Sequence, residues 1–270
     1  MGTKAPLQIS LALSGSGFLA MIHAGAVCAL RDSGAEIVEV AGTSGGSILA
    51  AAVAAGLTND EIRQMALDSD MSKLLRWSPS GMFAKRKYWC NGKDLYAWLD
   101  AHFKGAKLGQ AKIPVRIVST DYREGQSFVF NRTLTPDVPF ALACRASSAI
   151  PVVYAPVLYG SRMLIDGGTL DNCPLNELGQ PRSIKIGVDV MSGSSKNSDT
   201  SILKYASGLI GMLLSSSEAA QILMATQRGA RIVKVHTPNN FLNNHATPEQ
   251  RLTMFSQGYE AMAAELRAIK

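Results

Sequence analysis

Gly42-Thr43-Ser44-Gly45-Gly46 sets a serine between glycines in the G-x-S-x-G spacing. Such spacing suits a sharp strand-to-helix turn, where small residues let the backbone lift a serine hydroxyl to the end of a sheet and make it available as a nucleophile. The N-terminus of the following helix adds a field that favours a developing anion. A glycine-rich packing turn is the competing reading. A second loop, Gly15-Ser16-Gly17-Phe18-Leu19-Ala20, matches the dinucleotide fingerprint G-x-G-x-x-A. That fingerprint wants an acidic residue at the end of the second strand for the ribose; Gly42 stands there, and Glu39 lies within the strand. We therefore read this loop as an oxyanion hole, in which the amides of Ser16 and Gly17 face Ser44 and Gly15 lets the backbone approach.

A serine nucleophile needs a base. The histidines are His23, His102, His236 and His245, and the order Ser44, Asp166, His236 would suit a hydrolase triad. Against this, the serine turn follows the second strand and His236 leads into a Thr-Pro turn. Asp166, followed by Gly167-Gly168, is the other candidate. A carboxylate on so tight a turn, once desolvated, could take the serine proton directly. An ordinary Asp-Gly turn competes with that role.

The elements that must position these residues follow from periodicity. Gln8 to Leu13 reads as a strand, Phe18 to Leu30 as a helix, Glu36 to Ala41 as a strand and Ser47 to Ala55 as a helix ended by Gly56. Strand and helix in alternation predict a parallel sheet with helices on its faces. Thr58 with Glu61 predicts a capping box. Further on, helices are expected over Asp94 to Phe103, Pro139 to Ala146, Ile202 to Gln227 and Pro248 to Ala268. Strands are expected at Val115 to Thr120, Ser127 to Phe130, Val152 to Leu158, Met163 to Ile165, Ser183 to Val190 and Arg231 to Val235. Ser192 to Thr200 reads as a loop or linker. Lys85-Arg86-Lys87, among neighbouring aromatics, reads as a solvated loop with a lipid-facing surface as the competing reading, and Leu203 to Leu214 as a core stripe with a lid or interfacial helix competing.

At 270 residues, with 47% hydrophobic and 18% charged types, the chain is long enough for a full core and excludes a disordered or collagen-like protein. The longest apolar run, Ile48 to Leu57, is half the roughly 20 residues that span a bilayer. A net charge of +6 favours anionic partners, but without an arginine-rich tract we expect no nucleic acid. The 4 cysteines, Cys28, Cys90, Cys144 and Cys173, show no metal or disulfide spacing and read as reduced core thiols. Ala24-Gly25-Ala26 loosely mimics a signal-peptide cleavage site, yet the stretch before it is broken by Ser14 to Gly17; we expect no signal peptide and a cytoplasmic chain.

Ser14 to Ala20, Gly42 to Gly46, Ala146-Ser147-Ser148-Ala149-Ile150-Pro151, and Asp166-Gly167-Gly168 with Asp171-Asn172-x-Pro174 together resemble the patatin-like phospholipases in order and spacing, over roughly residues 8 to 190. The resemblance implies an α/β three-layer sandwich with a central, mainly parallel sheet, in a single domain over 1–270 whose last part, 191–270, adds C-terminal helices and a strand. It implies a Ser44/Asp166 dyad and an oxyanion loop of Gly15, Ser16 and Gly17, with Gly42, Gly45, Gly46, Gly167 and Gly168 supporting them. The activity implied is lipid acyl hydrolysis of the phospholipase A or lysophospholipase type, without metal or cofactor. Its partners would be a phospholipid or other acyl ester and a membrane surface met peripherally. Where the family has three glycines, any residue, Arg or Lys and then Gly, this chain has Gly15 to Ala20 without the cation. Backbone donors survive that change, but it admits a required protein or small-molecule activator, an acyltransferase, or a non-catalytic lipid-binding protein on the same fold.

Overall fold

The computed structural model describes residues 5–68, 71–75, 88–192 and 218–269. Lys85-Arg86-Lys87, the stretch Leu203 to Leu214 and nearly all of Ser192 to Thr200 lie outside the described residues.

The chain opens as β1 (Gln8–Leu13), a short 3-10 turn, α1 (Met21–Asp32), β2 (Glu36–Thr43), α2 (Gly45–Ala55) and α3 (Asn59–Leu67). Next come α4 (Lys93–Phe103), β3 (Val115–Asp121), β4 (Gln126–Asn131), α5 (Phe140–Ser147), β5 (Val157–Tyr159) and β6 (Arg162–Asp166). β7 (Ile184–Ser192), a helical segment over 218–227, β8 (Arg231–Thr237) and α6 (Pro248–Ile269) follow. The strands form one sheet in the order β5-β6-β3-β2-β1-β7-β8, with β4 also on β3. β3, β2, β1, β7 and β8 run parallel, while β4 and β6 pair antiparallel to β3. This is a mixed, mainly parallel α/β sheet, as expected.

The side-chain alternation of each strand divides the molecule into layers. Ile9, Leu11, Leu13 and Val40 enter the main core with Ile22, Val27 and Leu49 from α1 and α2. Ala12 and Ala41, on the other face, join Cys173, Leu175, Leu178, Ile222 and Ala225 in a smaller core. Local chemistry sets the helix ends. Gly56 closes α2 in the left-handed region at φ 86°. The Thr58 side chain accepts from the Glu61 amide while the Glu61 carboxylate accepts from the Thr58 amide, the expected capping box.

Two segments depart from the periodicity. α1 starts at Met21 instead of Phe18, because Gly17 turns the chain at φ 54° and the Phe18 amide donates to the Phe241 carbonyl, leaving a 3-10 turn over Gly17–Leu19. Val152 to Leu158 is not one strand. The amides of Val153 and Tyr154 turn back to the Ile150 carbonyl and Val152 sits at φ 70°, so β5 begins only after Pro156.

Candidate functional site

Parallel strands deliver their C-terminal ends, and the loops that follow, to one edge of the sheet, where α/β proteins bind ligands. β1 and β2 are neighbours in register from Gln8↔Glu36 to Leu13↔Gly42, so Gly15-Ser16-Gly17 and Ser44 emerge side by side. Ser44 is 5% exposed and has φ 50°, ψ −124°, a conformation that costs a non-glycine residue energy and is held here by its surroundings. Its amide donates to Ser147 Oγ at 2.8 Å, Ser147 donates on to the Val118 carbonyl, and Ser47 Oγ donates to the Ser44 carbonyl at 2.6 Å. The turn also demands glycine for space: a Cβ on Gly46 would fall 2.4 Å from the Leu13 and Ser14 carbonyl oxygens.

Asp166, at the end of β6, meets this turn. Ser44 Oγ donates to Asp166 Oδ2 at 2.7 Å, and Asp166 Oδ1 accepts from the Gly168 amide at 2.8 Å. The aspartate is held in place by pairing with Ser119 of β3 and by its amide, which donates to the Ala149 carbonyl. Burial pushes its pKa up to about 6, against the opposing bonds from Ser44 and Gly168. Gly167 lies so close to the Val118 carbonyl that a Cβ there would sit 2.1 Å from its oxygen. No histidine bonds to Ser44 among the described residues. His23 is fully buried, with Nε2 against the Ser14 carbonyl at 2.8 Å, and burial lowers its pKa to about 4. It is therefore a neutral imidazole donating to the loop. His236 lies on β8 and does not line the cavities at Ser44.

The first loop packs on the serine turn. A Cβ on Gly45 would lie 3.1 Å from the Gly17 amide nitrogen and 2.5 Å from Ser16 Oγ, and one on Gly15 would lie 3.5 Å from Ser44 Cβ. The Gly15 amide is occupied by the Asn172 carbonyl at 2.9 Å. The Ser16 and Gly17 amides have no partner among the described residues, so of the three predicted loop residues two keep free donors beside Ser44.

Two cavities share Ser44, Gly17 and Ile150. One, of about 920 Å³, has a polar wall that includes Asn172, Asp189, Glu218 and Lys234. The other, of about 50 Å³, is lined by apolar groups such as Met21, Ile48, Leu49, Met65, Leu95 and Trp98.

The family model for patatin-like phospholipases matches residues 11–178. The chain belongs to the patatin-like phospholipase family. It is 33% identical over 179 residues to an NTE family protein of Mycobacterium tuberculosis, covering 64% of this chain and 46% of that protein. It is 30% identical over 192 residues to YqhO of Bacillus subtilis, covering 63% and 66%. The chain thus spans less than half the length of the mycobacterial relative it matches. Among solved structures it is similar to VipD from Legionella pneumophila, with a TM-score of 0.65 and 16% identity over 98% of this chain and 67% of that one. The type III effector ExoU gives a TM-score of 0.57 and 16% identity over 97% and 53%. These likenesses carry the patatin-like fold.

Ser147 and Asn172 belong to motifs that carried the family resemblance, but their contacts to Ser44 and Gly15 are visible only in three dimensions. Asp189 and Glu218 drew no notice in the sequence. The position of Asp189 near the C-terminal end of a parallel strand was a usable signal; Glu218 offered none. No helix among the described residues is long and apolar enough to cross a membrane.

Proposed function

We propose that this patatin-like protein is a serine acyl hydrolase that cleaves carboxylic esters of phospholipids or lysophospholipids through Ser44 and Asp166. The observation that carries the reading is the 2.7 Å bond from Ser44 Oγ to a buried carboxyl whose pKa is pushed up to about 6. Such a group is ionised at neutral pH, yet far more basic than an exposed aspartate. Asp166 takes the Ser44 proton as Oγ bonds to the ester carbonyl carbon. The carbonyl oxygen becomes a tetrahedral oxyanion, facing the Ser16 and Gly17 amides, and Asp166 returns the proton to the departing alcohol. Water, deprotonated by Asp166, then attacks the acyl-Ser44 ester, and the fatty acid leaves as Ser44 regains its proton. Since the scheme uses backbone donors, it does not depend on the cation missing from the first loop.

The substrate puts the protein to work at a membrane surface, met peripherally. Its 4 cysteines are all buried and unpaired, which supports a reducing, cytoplasmic setting. Fatty-acid release from mixed phospholipid vesicles, by wild type and Ser44→Ala without added metal, tests the reading. Release by wild type alone is expected. Equal release by both would remove Ser44 from the chemistry; transfer of the acyl group to added lysolipid in preference to water would make the protein an acyltransferase.

A further inference from the structure

The polar wall of the larger cavity holds oxygens that the protein itself leaves without partners. Ser16, Asn172 and Asp189 are 2%, 5% and 3% exposed, and among the described residues Ser16 Oγ, Asn172 Oδ1, Asp189 Oδ1 and Glu218 Oε1 have no hydrogen-bond partner. All four residues line the cavity that contains Ser44. A buried polar atom without a partner forfeits the hydration it had in water, so this is an arrangement that a ligand would relieve.

The kind of ligand follows from the kind of atoms. Asn172 Oδ1 and Asp189 Oδ1 are acceptors, and Glu218 Oε1 accepts once a bound cation draws its carboxyl into the ionised form, so the complementary group is a donor. Their surroundings also call for positive charge. The Asp189 and Glu218 carboxyls lie against each other, and Asn172 lies against Glu218. Burial, reinforced by the neighbouring Asp189 charge, pushes Glu218 up to about 8; burial raises Asp189 too. Lys234, which pairs with Asp189 in the β7–β8 register, is the lysine that acts on this pair, yet no ion pair joins it to either carboxyl among the described residues. A primary ammonium brings three N–H donors and one positive charge. A quaternary ammonium has the charge without donors, and a polyol has donors without charge.

We infer that Asp189, Glu218 and Asn172 form a subsite for the primary ammonium of a phospholipid headgroup, which makes aminophospholipids of the ethanolamine or serine type the preferred substrates. The inference rests on the acyl-hydrolase reading for its catalytic half, and on the unpartnered acceptors alone for its binding half. With the ammonium held there, the headgroup fills the polar cavity and the ester reaches Ser44 from that side.

Binding is measured first, by titrating glycerophosphoethanolamine, glycerophosphocholine and glycerophosphoglycerol into the wild-type protein. The ethanolamine compound should bind at least about tenfold more tightly than either of the others, because only it satisfies both donor and charge requirements. Turnover of phosphatidylethanolamine over phosphatidylcholine of matched acyl chains, in the same micelles, should favour the former by a similar factor. Asp189→Asn and Glu218→Gln should each bring both ratios toward one. Equal binding of the three probes by wild type, which needs no folded variant, overturns the subsite. Tightest binding of glycerophosphoglycerol also overturns it, since the acceptors would then be reading hydroxyls. Selective ethanolamine binding with no turnover of any lipid or of a simple aryl ester leaves the subsite standing and removes the hydrolase; turnover of both lipids at equal rates does the reverse.

Discussion

The two cavities that meet at Ser44 are built on different principles. The small one is walled mainly by side chains that need only contact from a ligand, Ile48 and Leu49 from α2, Met65 from α3, Leu95 and Trp98 from α4, with the Ser148 hydroxyl as its unpartnered polar group among the described residues. It holds only about 50 Å³, and Met21, Met65 and Met71 in its lining are flexible enough to yield to a chain. The large one, at about 920 Å³, has apolar lining such as Ile222, Leu223 and Phe241 but adds a polar wall of Asn172, Asp189 and Glu218, with acceptor oxygens left unpaired among the described residues. The difference gives the proposed ester a direction, with the acyl chain on the apolar side, the headgroup on the polar side and the carbonyl between them. An apolar wall is satisfied by packing, whereas a polar wall is completed only by a partner of the right donor count.

The strongest test of that division removes what the two sides share. Asp166→Asn should lower turnover of every ester by about four orders of magnitude, whichever cavity the substrate uses. In wild type, the rate should fall as pH drops through about 6, where Asp166 takes up its proton and ceases to be a base. Stability should move the other way. A carboxyl raised from 3.8 to about 6 in the fold binds its proton more tightly there than in the unfolded chain, so it costs stability increasingly as pH rises through that window. Asp166→Asn should therefore be more stable than wild type at pH 8 by on the order of 2 kcal/mol, with the gap closing near pH 4. Denaturant melts at the two pH values check the sign; a gap that widens in acid would contradict the burial argument.

Gly15→Ala breaks the polar side. Its Cβ would fall 2.3 Å from Asn172 Oδ1, so the loop or the asparagine must shift, and we expect kcat/KM to drop by about 100-fold, the effect of losing one oxyanion donor. Retained activity in a folded Ala variant would mean that Asn172 yields to the new Cβ and leaves the Ser16 and Gly17 amides in place. Ile48→Phe sharpens the apolar side. It narrows the small cavity and should cut turnover of long-chain esters about tenfold relative to butyryl esters, read as a ratio of kcat/KM values. An unchanged ratio would send the acyl chain elsewhere. His236→Ala should change the rate by less than about twofold, within the range of surface substitutions. A loss of several orders of magnitude would restore the histidine triad.

Much of the fold was legible in the sequence. Gln8 to Leu13 and the capping box at Thr58 and Glu61 stand where the periodicity and cap chemistry put them, since strand alternation and helix caps are local requirements. Val152 to Leu158 was misread because its apolar run outweighed Pro151 and Pro156, which remove the donors a strand needs. The 3-10 turn before α1 depends on the Phe241 carbonyl, more than 200 residues away, and no local signal announces it.

The candidate site divides along the same line. By itself the sequence determined the two glycine-rich strand-to-helix turns and the Asp-Gly-Gly turn, because close backbone approach and unusual φ values admit few residue types and leave short, readable motifs. From the residues alone, Asp166 stood ahead of a histidine as the base, but an ordinary Asp-Gly turn competed with that role, and only the family resemblance favoured a catalytic aspartate. Tertiary structure alone decided that Ser44 and Asp166, 122 positions apart, share a hydrogen bond. It alone set Ser147 on the Ser44 amide and gathered Asn172, Asp189 and Glu218 into one wall. Those meetings follow from the order β6-β3-β2-β1-β7-β8, which sets the strand ends beside one another, and sheet order is a property of the whole packed chain that no single stretch of it encodes.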